Sequence, residues 1–142
     1  MRLIETSVDI CADTNDVWKI LVDFDRYAEW NPFIVHARGA AVRGTLLEIT
    51  MRLEDRAMTF TPRVTAVEPG RHLQWLGQFR IPKVFDGRHE FIIEPAPHGA
   101  TLRHRETFTG LLPPLLGSML AKTAAAFEQF NLAIKARAEG TA

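Results

Sequence analysis

The chain has a single cysteine, Cys11, in 142 residues. No intrachain disulfide can form, which suits a reducing compartment, and the expected location is cytoplasmic. An excess of either charge is also missing. Lys+Arg and Asp+Glu both number 17, and the formal net charge is zero. No basic run stands out, and recognition of nucleic acid needs such a patch to neutralise phosphates, so no nucleic-acid partner is expected. No stretch approaches the roughly 20 apolar residues of a membrane helix, so no integral membrane segment is expected. The opening MRLIETSVDI carries Glu5 and Asp9 where a secretion signal needs an unbroken apolar stretch. Repeats, linkers, low-complexity tracts and a glycine-rich phosphate loop are absent too.

What is present is ordinary in bulk and informative in pattern. A content of 46% hydrophobic and 24% charged residues is that of a globular protein, and the length suits a single domain, 1–142, with one sizeable core. Ile4, Thr6, Val8 and Ile10 alternate with Glu5, Ser7 and Asp9, which is a strand with one wet face. In ADTNDVWKILVDFDRYAEWNP, Asp13 or Thr14 caps a helix whose apolar stripe is Val17, Leu21 and Phe24. A second short helix covers Arg26 to Glu29, and Pro32 ends it. Strands are then expected near 33–41, 45–54, 56–68, 71–80, 86–95 and 100–109. Gly44, Glu54-Asp55, Pro69-Gly70 and His98-Gly99 supply most of the turns between them. Pro62, inside the third of these, marks a bulge or an edge. The longer gap RIPKVFDG, with Arg80 and Lys83, reads as a loop at a cavity mouth. Last, Leu116, Leu120, Thr123, Phe127, Phe130 and Ile134 recur at spacings of four and three. They form one face of a long helix that tolerates Pro113 or Pro114 in its first turn and stops at Gly140. The order is one strand, two short helices, six strands and a long helix. The fold class is therefore α+β: a curved seven-stranded antiparallel sheet wrapped around a long C-terminal helix, with space between them.

The stretch GRHEFIIEPAPHGATLRHRETFTG, from Gly87 to Gly110, carries the chemistry. It reads as a hairpin whose apolar face also holds His89, His104 and Glu106. With His98-Gly99 as a two-residue loop, opposite residues sum to 197. Glu106 then faces Phe91, His104 faces Ile93 and Phe108 faces His89. His89 and Glu106 are diagonal neighbours among Phe91, Ile93, Leu102 and Phe108, about 7–8 Å apart at the backbone. They form a candidate acid–base or ligand-polarising pair, since a carboxylate can orient an imidazole that titrates near neutral pH. The competing reading is a buried pair that satisfies only itself. The other face, with Arg88, Glu90, Ile92, Glu94, Arg103 and Arg105, reads as solvated. His36 and His72 also fall on solvated faces, and His98 in a turn. Further candidates for a cavity wall are Trp75, Met58 and Phe60, together with Leu120 and Phe127 from the helix; filling a solid core is the alternative for each. Trp30-Asn31-Pro32 reads as a structural corner, and Gly77 as a bend or a point of close approach. The five histidines lack tight metal-ligand spacing. A set of His89, His104 and Glu106 places its two histidines two side-chain rows apart, so no metal and no cofactor is expected.

In its order of motifs the chain resembles the helix-grip superfamily, which spans the birch-pollen-allergen group, lipid-transfer START domains and the polyketide cyclase/dehydrase group. The residues that carry the resemblance are DVWKILVDFDRYAEWNPFI, VEPGRHLQWLGQF, FDGRHEFIIEP, RETFTGLLPPLL and the closing helix, nearly the whole chain. Together these motifs resemble those of small bacterial cyclase/dehydrase-like proteins. The resemblance implies a hydrophobic cavity between sheet and helix, and it implies no single reaction, because such proteins include carriers, sensors and enzymes.

Three functions follow as expectations. The first is binding of a small hydrophobic or aromatic molecule, with Met58, Phe60, Trp75, Phe91, His104, Phe108, Leu120 and Phe127 as lining. The second is a cofactor-free cyclase, dehydratase or isomerase using His89 and Glu106. The third is a protein-interaction scaffold. A homodimer is compatible with each.

Overall fold

A computed structural model describes residues 1–79, 85–110 and 116–140. Among them the chain forms β1 (Arg2–Ile10), α1 (Thr14–Val22), a 3-10 helix (Phe24–Glu29), β2 (Ile34–Arg38), β3 (Glu48–Leu53), β4 (Arg56–Phe60), β5 (Arg63–Glu68), β6 (His72–Phe79), β7 (Phe85–Ala96), β8 (Gly99–Gly110) and α2 (Leu116–Glu139). The expected loop residues Arg80 and Lys83, and the prolines 113 and 114, lie outside the described residues.

Local chemistry sets the entry into the fold. The Asp13 carboxylate accepts from the amide of Asp16 at 2.9 Å, so Asp13 and not Thr14 caps α1. Val17, Leu21 and Phe24 are buried as their spacing requires. The second helix starts two residues earlier than expected, at Phe24, and has 3-10 form. Its Tyr27 is fully buried and its hydroxyl donates to the main-chain oxygen of Leu21, tying the two helices together. At the corner that follows, the Asn31 side-chain oxygen accepts from the amides of Phe33 and Ile34 at 3.0 and 2.8 Å. Trp30 packs edge-on against Tyr27 and Phe130, ring centroids 5.1 and 5.5 Å away.

The strands lie in two antiparallel sheets, one ordered β1-β8-β7-β6-β5 and one ordered β2-β3-β4. The segment expected as a single strand over 56–68 is two strands, so the described chain has eight and not seven. Pro62 marks the change. Lacking an N–H, it cannot extend a ladder as a donor, and the chain passes there from the edge strand β4 to β5 in the other sheet. Its carbonyl accepts from Leu47 at 2.8 Å, and Gly44 and Val64 also bond across the same seam. A bridge between Leu46 and Arg63 completes the link, so the two sheets behave as one curved surface.

The helix α2 lies over the inner face of that surface, chiefly against β1. Thr123, Phe127, Phe130, Asn131 and Ile134 are buried beneath it. Its last turn is tied to the start of the chain. Glu139 accepts from the Cys11 amide and from Lys135, both at 2.8 Å, and Arg137 donates to Glu29 at 2.7 Å. Gly140 follows at φ +74, the left-handed geometry of a helix stop. The architecture is α+β and is that of a helix-grip fold.

Candidate functional site

The hairpin β7–β8 turns at Pro97-His98, one residue before the expected loop, and its opposite residues therefore sum to 195. Every partner moves by two places, which keeps each side chain on its expected face and changes its neighbours. His89 stands directly opposite Glu106, Phe91 opposite His104, and Gly87 opposite Phe108. The reason lies in Gly99. It pairs with Ala96 inside the ladder at φ +137, and a Cβ there would come within 2.6 Å of the Ala12 carbonyl oxygen. The glycine answers a close approach of backbone to backbone, not a turn.

This register arranges the inner face in rows across the sheet. One row runs Ile4, Glu106, His89, Trp75; the next runs Thr6, His104, Phe91, Leu73. His89 and His104 are thus in adjacent rows, not two rows apart, and their Nε2 atoms lie 2.7 Å from one another. The ring nitrogens bond to each other instead of converging on a common point. Among the described residues no three His, Cys, Asp or Glu side chains are grouped to hold a metal ion.

Aromatic packing locks the pair. His104 is stacked on Phe127, with centroids 3.9 Å apart and planes 4° from parallel, and His89 is stacked on Trp75 at 4.9 Å. Phe91 sits against both imidazoles at 4.9 and 4.5 Å. His89 Nδ1 lies 3.6 Å from Glu106 Oε1, which is ion-pair range and too long for a hydrogen bond. His104 Nδ1 meets the Asn131 side-chain oxygen at 3.1 Å. Burial, and then the neighbouring His89, push the His104 pKa well below the usual histidine range; the Asn131 bond opposes them and loses.

Beyond the Glu106–His89–Trp75 row the next inner positions are Phe108, Gly87 and Gly77. The two glycines pair with each other in the row next to His89 and Glu106, where neither brings a side chain to the inner face, and Gly87 is buried. Gly77 thus has Gly87 as its partner and the two form a strip of sheet without side chains, a feature one strand's sequence could not reveal.

Of the expected lining, Trp75, Phe91, His104 and Phe127 pack around His89 and are buried, Phe108 is buried in the next row opposite Gly87, and Leu120 is half-buried against the core. Met58 and Phe60 are elsewhere, on β4 of the three-stranded sheet. Met58, expected to face inward, is 51% exposed because β4 is that sheet's free edge. The outer face also differs from expectation at one point. Glu90 is buried, bonded by Arg105 at 3.1 Å and His72 at 3.0 Å. Burial acts to raise its pKa, but the Arg105 and His72 bonds outweigh it and the carboxyl is held low. His36 is exposed, beside Glu48 at 3.2 Å. Two partners of the site escaped the sequence reading, Asn131 and Thr6. Asn131 follows Phe127 by four residues, the one signal that it shares the helix's inner face, and Thr6 has the inward parity of β1.

A curved antiparallel surface closed by one long helix, with polar groups buried between the two, defines the helix-grip class. Within it the chain belongs to the family described as polyketide cyclase/dehydrase and lipid transport, whose model matches residues 1–139. Solved structures agree on the fold. A protein from Mesorhizobium loti superposes with a TM-score of 0.81 at 17% identity, covering 99% of each chain. A START superfamily protein from Mycobacterium smegmatis gives 0.74 at 18%, again over 99% of each chain. The Aha1 dimer from Colwellia psychrerythraea gives 0.69 at 18%, over 99% of this chain and 98% of that one. No curated protein matches the chain by sequence. Among the described residues no helix is long and apolar enough to cross a membrane.

Proposed function

We propose that the protein binds a small hydrophobic or aromatic molecule between its sheet and α2, over the Gly77–Gly87 strip. One observation carries this reading: the strip lies next to the row of Glu106 and His89, with His104 in the row beyond, in an otherwise apolar, aromatic wall. Ligand sites of this kind are mostly apolar with a few oriented polar groups. Trp75 and Phe108 form the nearest apolar contacts, and Phe91, His104 and Phe127 act behind them by fixing the His89 ring.

The test is native purification followed by solvent extraction and mass spectrometry against a mock preparation. A stoichiometric apolar compound is the expected result. Gly87→Val puts a branched side chain on the strip and should lower ligand occupancy at least about tenfold, the effect of about 1.4 kcal/mol. Full occupancy in that variant, with the fold intact by circular dichroism, would remove the strip from the site. A second reading, a cofactor-free cyclase, dehydratase or isomerase, draws support from His89 and Glu106 lying side by side. Turnover of the extracted compound that is lost in both His89→Ala and Glu106→Gln is its expected signature.

A further inference from the structure

The polar groups of the inner wall form one line, and its protons can be placed in turn. The Thr6 hydroxyl donates to the main-chain oxygen of His104 at 3.2 Å. Its one proton is then used, so toward Asn131 it accepts, from Nδ2 at 2.8 Å. That fixes the Asn131 amide. Its other end, Oδ1, lies 3.1 Å from His104 Nδ1 and can only accept, so His104 carries its proton on Nδ1. Burial keeps this ring neutral, which leaves its Nε2 with a lone pair. A lone pair 2.7 Å from His89 Nε2 requires the proton there to belong to His89. A second proton, on Nδ1, would draw the Glu106 carboxylate into a hydrogen bond, and that carboxylate stands off at 3.6 Å, so His89 presents a lone pair at Nδ1.

That Nδ1 atom is the unusual one. The His89 residue is 1% exposed, and Nδ1 has no hydrogen-bond partner among the described residues. Leaving a buried polar atom unpaired costs about 1–3 kcal/mol, so it calls for an occupant. Its neighbour, the Glu106 carboxylate, is an acceptor as well and stands 3.6 Å off. Both groups flank the Gly77–Gly87 strip.

We propose that His89 Nδ1 and Glu106 form a two-acceptor cradle that selects apolar ligands bearing a hydroxyl, a phenol or an alcohol, which donates its O–H into it. A carbonyl or an ether oxygen brings a third acceptor and is disfavoured. Asn131 and Thr6 are positioning residues in this scheme: they never meet the ligand and act by setting the tautomers. The inference rests on the reading of the strip as a ligand site and adds the polarity of the anchor.

Two measurements test it. Histidine-selective 15N labelling of the full chain, with long-range proton–nitrogen correlations near pH 7.5, reads the tautomers in the free protein. Protons on His104 Nδ1 and His89 Nε2 are expected. A proton on His104 Nε2, or two protons on His89, overturns the scheme. Asn131→Leu should release the His104 preference, whereas Asn131→Asp keeps an acceptor and should retain it; the second variant serves if the first does not fold. The second measurement compares phenol, 1-naphthol and 1-anthrol, each with its methyl ether, by calorimetry. At least one hydroxyl compound should bind about tenfold or more tighter than its ether, the effect of one hydrogen bond to a buried polar group. Glu106→Gln and His89→Phe should narrow that gap. Hydroxyl and ether forms binding equally well refutes the cradle and leaves the apolar site standing. No binding by any of the six compounds counts against the site itself, and the cradle falls with it.

Discussion

His104 shows how much a single residue can hold. It is an ionisable ring with no exposure, stacked on Phe127 and bonded to Asn131 and His89. Its folded-state pKa lies well below the unfolded value near 6.5. The unfolded chain therefore takes up a proton that the folded chain refuses. Stability from this group is fully present above about pH 6.5 and falls as pH drops toward the lowered folded pKa, by up to about 1.4 kcal/mol per pH unit. Urea titrations at pH 7.5 and pH 5.5 should show this loss, and it should shrink in His104→Phe. An unchanged pH slope in that variant would assign the effect to another group. Truncating the ring it rests on, Phe127→Ala, should cost about 3–5 kcal/mol, measurable as a drop in the urea midpoint. At this scale the sequence was partly legible. The alternation of 89, 91, 93 and of 102, 104, 106, 108 put the right side chains inside. It could not show that Asn131, from the far end of the chain, would set the histidine's proton.

Among elements, the hairpin carries the main lesson. Period-two patterning specifies which face a residue takes, and a slip of two places along β8 leaves that pattern untouched. The turn had to come from local chemistry, and His98-Gly99 was the stronger signal on paper. The deciding contact is tertiary: Gly99 lies against the backbone of Ile10 and Ala12. Gly99→Ala should therefore destabilise the protein by about 1–3 kcal/mol, from the positive φ and the clash together. Thermal denaturation checks this; a variant with wild-type Tm would mean the β1–α1 corner moves aside freely. Pro62 gave a truer signal, since a proline in a strand pattern argued for an edge and proved to be the crossing between sheets. The exposure of Met58 follows from the same crossing, which leaves β4 on a free edge that residue alternation alone does not reveal.

Across the whole molecule, the order of elements and the closing helix were legible because each is long and strongly periodic. The division into two sheets was not, because it depends on which strands pair and not on which residues are apolar. That division should be visible in hydrogen exchange. Four of the five β4 residues are exposed, whereas β8 alternates buried positions along nearly its full length. Amides of β4 should exchange well before those of β7 and β8, and simultaneous exchange would indicate one cooperative unit. The sheet order has a further consequence, for the time at which the protein comes into being. β1 pairs with β8, Ile10 with Ala100 and Arg2 with Phe108, so β1, once it leaves the ribosome, meets its partner only after roughly 90 to 106 more residues. At about 5–20 residues per second that is a wait on the order of 5–20 seconds. Asn131 arrives later still, and with it the contact to Thr6. The proton order of the buried histidines thus has to wait until Asn131 has been made, and no shorter nascent fragment can carry it.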